Sequence, residues 1–151
     1  MIEKSYVMVK PEFANDYKVI KEIQKRLYLG KGAGLSLLKS GYIQYGVEDA
    51  QKHYAEHVGK DFYPDLEKYI TSDIAFGMIL EGENAIARIR EIVGATKNPA
   101  VGTIRHDIPK MMGLELRVRE NVIHASDSVS AAEREIAIFE DILSKSNTCG
   151  L

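Results

Sequence analysis

The segment Asn121-Val122-Ile123-His124-Ala125-Ser126-Asp127-Ser128 sets one histidine at the end of a short apolar run and directly before a helix start. Val122 and Ile123 read as a buried strand, while Ser126, Asp127 and Ser128 carry the side-chain oxygens that cap helix N-termini. His124 is thereby predicted at a strand-to-helix corner, where backbone N–H groups and the positive end of a helix dipole suit an anion such as phosphate. Imidazole titrates near neutrality and its neutral form is a nucleophile, so this ring could carry a transferred group covalently. A histidine satisfied by a backbone carbonyl at a strand end would leave the same local trace, so the rest of the chain has to discriminate.

The elements that position this corner follow from periodicity. Lys4–Val9 alternates as a strand and is ended by Lys10-Pro11, because proline cannot extend the ladder. From Asp16 the spacing turns helical, with Tyr17, Ile20, Ile23 and Leu27 on one side and Lys18, Lys21, Glu22 and Lys25 on the other. Gly30, Gly32 and Gly34 break the chain before an apolar-rich strand over Leu35–Tyr45. Glu48–His57 is predicted as a helix ended near Gly59, and Phe62, Leu66 and Tyr69 mark a short helix forming a hairpin with it. Ile74–Leu80 is a third strand and Glu83–Val93 a helix stopped by Gly94. An irregular stretch to Glu120, the strand Asn121–His124 and a helix over Ser128–Leu143 complete the chain, the last with Val129, Ala132, Ile136, Phe139 and Leu143 on one face. This order is the split βαβ pattern. It predicts an α/β (α+β) fold: a ferredoxin-like βαββαβ sandwich, its antiparallel four-stranded sheet covered by helices on one face, with additional helices, in a single domain over residues 1–151.

Composition narrows the function classes. With 151 residues the chain can bury a substantial core as one domain. A formal charge of −2 offers no overall field for nucleic acid or membrane, so a polyanionic ligand needs locally grouped cations. No apolar run approaches the ~20 residues that span a bilayer, and Met-Ile-Glu-Lys-Ser does not open a targeting segment. Cys149 is the only cysteine and can form no internal disulfide, which agrees with a reducing, cytoplasmic setting.

Seven segments occur in a telling order: Val9-Lys10-Pro11-Glu12, His53-Tyr54-Ala55-Glu56-His57, Lys60-Asp61-Phe62-Tyr63-Pro64, Glu81-Gly82-Glu83-Asn84-Ala85, Gly94-Ala95-Thr96, Gly102-Thr103-Ile104-Arg105 and the His124 segment. Together they resemble the nucleoside diphosphate kinase family along nearly the whole chain. The resemblance implies that His124 takes the γ-phosphoryl group of a nucleoside triphosphate such as ATP or GTP. It then passes the group to a diphosphate such as ADP or GDP, in a ping-pong reaction where positioning and charge neutralisation supply most of the catalysis. Glu135 matches the carboxylate that orients the ring; spacing alone also admits Glu133. Lys10, Arg90 and Arg105 match phosphate-binding cations, Thr96 a group on a phosphate oxygen, and Asn121 one directed at the ribose.

Phe62 matches an aromatic that stacks on the base, which gives affinity without base selection, although its spacing with Leu66 and Tyr69 alone would place it in the core. Tyr54 and Ser126 match further groups of the catalytic pocket, and Ser126 would equally serve as a helix cap. Mg²⁺ is implied as a cofactor carried on the nucleotide phosphates, with no direct protein ligand and Asp127 reaching it through water. His53 and His57 stand four apart on a helix without an evident third metal ligand, and His106 fits no metal pattern.

The chain departs from the family pattern in three places. Glu12 replaces the usual aspartate, and Asn15-Asp16-Tyr17-Lys18 replaces a basic-Gly-Leu element. Between Thr96 and Arg105 the chain is short, with Val101 where proline is usual. Between Arg105 and Asn121 it is long, and Ile108–Leu116 is rich in Met and Leu, which points to burial against a neighbouring subunit or the cleft. The resemblance implies a homo-oligomer, as hexamer, tetramer or dimer, with the short loop weakening contacts about a three-fold axis. Two rival readings are compatible with the sequence: a catalytically reduced relative acting as a nucleotide-binding regulator or scaffold, and an RNA-binding module on the same sheet. The second lacks interleaved glycines and aromatics.

Overall fold

The structure, a computed structural model, describes residues 1–29, 34–114 and 122–149. Four strands, β1 (Ile2–Val9), β2 (Ser36–Ile43), β3 (Ala75–Glu83) and β4 (Ile123–Ala125), form one sheet in the order β2-β3-β1-β4, with every neighbouring pair antiparallel. This is the ferredoxin-like arrangement. The helices are α1 (Pro11–Ala14), α2 (Tyr17–Gln24), α3 (Val47–His53), α4 (Tyr63–Ile70), α5 (Ala85–Val93), α6 (Ile104–Met111) and α7 (Val129–Cys149).

Helices cover both faces of the sheet, not the single face that the element order predicts. The cause lies in the central strands, which are apolar on both sides. Val7 and Val9 of β1, with Phe76, Met78 and Leu80 of β3, face a core closed by α2, α5 and α6. Tyr6 and Met8 of β1 face the opposite core, closed by α3, α4 and α7 through Ala50, Leu66, Ile70, Ile138 and Phe139.

Several elements differ from the periodicity reading for local reasons. On α2, Asp16 caps the helix by accepting from the Lys18 and Val19 N–H groups at 2.9 and 3.4 Å. The buried residues are Val19, Ile20 and Ile23, whereas Tyr17 is exposed beneath the Lys21 ammonium. The stretch predicted as irregular contains α6, which buries Ile104, Ile108 and Pro109. Ile108 thus packs in the chain's own core, while Met111 and Leu114 are exposed and residues 115–121 lie outside the described part.

On α7, Ser128 caps the first turn by accepting from the Ala131 N–H at 3.1 Å. Of the predicted face Ala132 and Phe139 are buried and Ile136 and Leu143 pack against the core, while Val129 is exposed; Ala131, Glu135, Ile138 and Ile142 are buried beside them.

The seating of α7 on the sheet sets where Glu135 stands. Met8 pairs with His124 on one side and Gly77 on the other, and Gly77 pairs with Gly41, so these four form a row across the strands. Glu135, Phe139 and Leu143 recur at four-residue intervals along α7 and so share a stripe of its surface. Each meets one member of the row. Glu135 bonds His124, a Cβ at Gly77 would lie 2.4 Å from Phe139 Cε1, and a Cβ at Gly41 would lie 2.8 Å from Leu143 Cδ2. The two glycines are the recess into which the helix sits.

We therefore expect Gly77→Ala to overpack this contact and lower unfolding free energy by about 1–3 kcal/mol, read by denaturant titration. Adding Phe139→Leu should recover part of the loss. Strictly additive losses would show that the ring does not seat against Gly77.

Candidate active site

His124 Nε2 lies 2.9 Å from Glu135 Oε1. A carboxylate acceptor there selects the tautomer with its proton on Nε2 and leaves the Nδ1 lone pair available for attack. Glu135 is only 3% exposed, and a carboxylate so placed requires further donors. The Ser126 hydroxyl supplies one, donating to the same oxygen at 2.7 Å, while it accepts the Tyr6 N–H at 3.0 Å. The Ser126 N–H in turn donates to the Tyr6 carbonyl at 3.0 Å. Ser126 is thus a buried link between β1 and α7, and capping falls to Ser128. Glu133, the other carboxylate admitted by spacing, is exposed.

A second imidazole stands beside the first. The rings of His53, at the end of α3, and His124 meet edge to face with centroids 4.6 Å apart. His53 is buried, and neither ring nitrogen has a hydrogen-bond partner among the described residues. Burial first, then the nearby His124, Arg134 and Lys10, push its pKa well below the usual imidazole range, so the ring is neutral. Tyr54 follows in sequence, buried, with its ring 4.6 Å from His53 and its hydroxyl proton held on by burial.

Cations gather around this pair. Arg105, on the first turn of α6, donates through Nη1 to the Gly94 carbonyl at 2.8 Å and through Nη2 to the Ile123 carbonyl at 2.9 Å. Gly94 adopts φ +95°, and a Cβ there would lie 2.5 Å from Thr103 Oγ1, so glycine is needed to bring its carbonyl to Arg105. Burial and the neighbouring Arg90 push Arg105 down to about 10. Lys10, the residue after β1, is buried, and desolvation followed by the Arg105 charge pushes it down to about 7.

Arg90 and Thr96 are exposed and line the same cleft of about 270 Å³ as His124, Glu135 and Arg105. Tyr54, His53, Asp127, Glu56 and His57 complete much of its wall. Arg134 also lines it, with Nη2 3.9 Å from Glu135 Oε2.

The structure therefore brings together His124, Glu135, Ser126, Tyr54, Arg90, Thr96, Arg105 and Asp127. Lys10 lies behind them, close enough to feel Arg105. Phe62 is half-buried just before α4, its ring 5.3 Å from His57 with the Lys60 ammonium 5.9 Å above it. Asn121 lies outside the described residues. Two participants carry no distinguishing sequence signal: His53, which reads as half of a helical His pair, and Arg134, one more basic residue on a charged helix.

The family profile described as "Nucleoside diphosphate kinase" matches residues 3–142. The nucleoside diphosphate kinase of Listeria monocytogenes serotype 4a is 42% identical over 149 residues, 95% of this chain and 94% of that protein. Among solved structures, that of the Aquifex aeolicus nucleoside diphosphate kinase is similar at TM-score 0.78 and 28% identity, covering 92% of this chain and 95% of that one. The Halobacterium salinarum nucleoside diphosphate kinase in complex with CDP gives TM-score 0.76 at 33% identity over 92% of this chain and 88% of that one.

The Lys10 environment has a sign that can be measured. Above about pH 7 the free protein loses this charge, whereas a bound phosphate dianion would restore it, so ADP binding should take up a proton and weaken as pH rises from about 7 to about 9. Calorimetry in buffers of different ionisation enthalpy reads the uptake directly. Lys10→Arg, which stays charged throughout, should abolish it; undiminished uptake in that variant would remove Lys10 from the phosphate site.

Proposed function

The chain belongs to the nucleoside diphosphate kinase family, and we propose that it transfers γ-phosphoryl groups from nucleoside triphosphates to nucleoside diphosphates through a phosphohistidine on His124. The carrying observation is the Ser126–Glu135–His124 hydrogen-bond chain opening onto a cleft lined with arginines. In this reading the Nδ1 lone pair of His124 forms a bond to the γ-phosphorus as the bond to the β–γ bridging oxygen breaks, and the electron pair leaves on the diphosphate. Positive charge develops on the ring, and Glu135 at Nε2 stabilises it where it appears. Departure of the first diphosphate admits a second, whose terminal oxygen takes the phosphoryl group from His124. Arg90, Arg105 and Lys10 neutralise phosphate charge, with Thr96 on a phosphate oxygen. Phe62 stacks on the base, Asn121 is directed at the ribose, and Tyr54 closes the wall beside the rings. An active phosphotransferase is favoured over a reduced scaffold, because the nucleophile, its carboxylate and the cations stand together.

Mg²⁺ fits this site only as a passenger of the nucleotide. The cleft's inner donor set is two imidazoles and one carboxylate, too nitrogen-rich for a hard cation, and Asp127 at the wall is the carboxylate that would hold it through water. When bound, Mg²⁺ supplies charge neutralisation across the phosphate oxygens.

We further propose a single domain over residues 1–151, acting in the cytoplasm as a homo-oligomer. Among the described residues no helix is long and apolar enough to cross a membrane. Edge strand β2 exposes Leu38 and Tyr42, and pairing of such an edge between copies would protect it, which makes the dimer the basic unit of any tetramer or hexamer. The formal charge of −2 argues against a nucleic-acid partner.

Incubation with γ-labelled ATP and magnesium should place label on His124 that is labile in acid, stable in alkali and discharged by GDP. His124→Ala should take no label; label that persists there, or survives acid, would refute the phosphohistidine. Glu135→Gln should lower kcat on the order of 100-fold with nucleotide affinity little changed, since the lost charge matters as the ring charges. An unaltered kcat would reduce Glu135 to a packing residue.

A further inference from the structure

We propose that His53, His124 and Glu135 form a binding site for a borderline divalent cation of the zinc class, and that filling it blocks phosphoryl transfer at His124. One ligand atom from each residue lies within 4.8 Å of the others. Two imidazoles and a carboxylate are a set that zinc accepts with a fourth position left open, and here that position gives onto the cleft.

His53 is what makes this more than a chance grouping. It is 3% exposed, yet both its ring nitrogens lack a hydrogen-bond partner among the described residues, although buried polar groups are overwhelmingly satisfied. A cation supplies the missing partner. Glu135 comes with its outer support already in place, the Ser126 hydroxyl at 2.7 Å.

The geometry limits the affinity and so the role. Bonds of about 2.0–2.1 Å in a tetrahedron separate ligand atoms by about 3.4 Å, so a pair lying near the 4.8 Å limit must close by about 1.4 Å. Arg134, 3.9 Å from Glu135, opposes a cation nearby. Both effects make the site reversible instead of structural. A zinc-class ion and Mg²⁺ would then act in the same cleft without competing for ligands, the first on imidazole nitrogen and the second on phosphate oxygen.

Occupation and catalysis exclude each other. A metal on Nδ1 of His124 takes the lone pair that attacks phosphorus, and a metal on Nε2 displaces the bond to Glu135. The binding site rests on geometry alone, whereas the block rests on His124 being the nucleophile, and separate readouts keep the two apart. Co²⁺ titrated into the nucleotide-free protein should produce the visible absorption bands of a low-coordinate site at one ion per chain, and Zn²⁺ should displace it. His53→Phe and His53→Gln should each weaken Zn²⁺ binding at least tenfold by calorimetry, while Glu133→Gln, at an exposed carboxylate, should not. Thermal melts establish that the variants fold. Protein phosphorylated with Mg·ATP and freed of nucleotide should lose the cobalt bands and recover them after discharge by GDP.

Equal Zn²⁺ affinity in a folded His53 variant would overturn the site. If neither variant folds, failure of Co²⁺ to give such bands at one ion per chain in the parent protein would overturn it instead. Bands that appear normally in a protein taking no phosphoryl group would support the site and overturn the block together with the reading of His124 as nucleophile.

Discussion

A carboxylate buried between a helix and a sheet carries this structure's chemistry. An unpaired charge at Glu135 would cost several kcal/mol, so the helix that bears it can pack only where donors are waiting. Those donors are His124 on β4 and Ser126, the latter itself held by the β1 backbone at Tyr6. The same helical stripe carries Phe139 onto Gly77 and Leu143 onto Gly41. Rotating α7 by a single residue, about 100°, would pull all three from their seats at once. The alignment of Glu135 with His124 is therefore a consequence of core packing, since the recess that accepts an aromatic ring also sets the distance between the carboxylate and the imidazole.

The cations answer to a different constraint. Arg26 and Arg105 show two uses of one side chain. Arg26 meets Asp107 at 2.7 Å and Glu22 at 3.2 Å, so its charge is consumed in fastening α6 to the turn after α2. Arg105 is held at 2.8 and 2.9 Å by backbone carbonyls, which fix its position without neutralising it. Burial first, and then repulsion from Arg90 on Arg105 and from Arg105 on Lys10, depress the pKa values of Arg105 and Lys10. A bound polyphosphate would relieve that repulsion. A chain of net charge −2 can therefore still present locally grouped positive charge to an anion.

Much of this is legible in the sequence. The strands are, because β1 and β3 are long and apolar, and so is the strand-to-helix corner at His124. Coverage of both faces has its own trace in Tyr6-Val7-Met8-Val9, a run apolar at every position. Helix α6 is harder, since Pro109 stands inside it and a proline ordinarily argues against a helix interior. On α7 the predicted face packs at Ala132, Ile136, Phe139 and Leu143 and fails only at Val129, the helix's first residue, which stays exposed. The buried stripe includes Glu135, a residue that hydropathy assigns to solvent. Ser126 and Ser128 are interchangeable on spacing, and only their partners separate a buried bridge from a cap. His53 cannot be found from periodicity, because its partner His124 is more than 70 residues away in the chain.

The residues proposed to bind the nucleotide are held unequally, and the proposed reaction depends on that. The groups proposed to meet phosphate are anchored to the sheet: His124 lies on β4, Lys10 directly follows β1, and Arg105 is fixed to the carbonyls of Gly94 and Ile123. Phosphoryl transfer needs such fixity, because misplacement of the reacting atoms by about 1 Å costs on the order of 100-fold in rate. Phe62 stands instead at the start of a helix away from the sheet and leans on His57 and Lys60, contacts of ring faces and a flexible ammonium. In the proposed function the bonds that change meet the rigid part of this arrangement, and the base meets the part held by adaptable contacts.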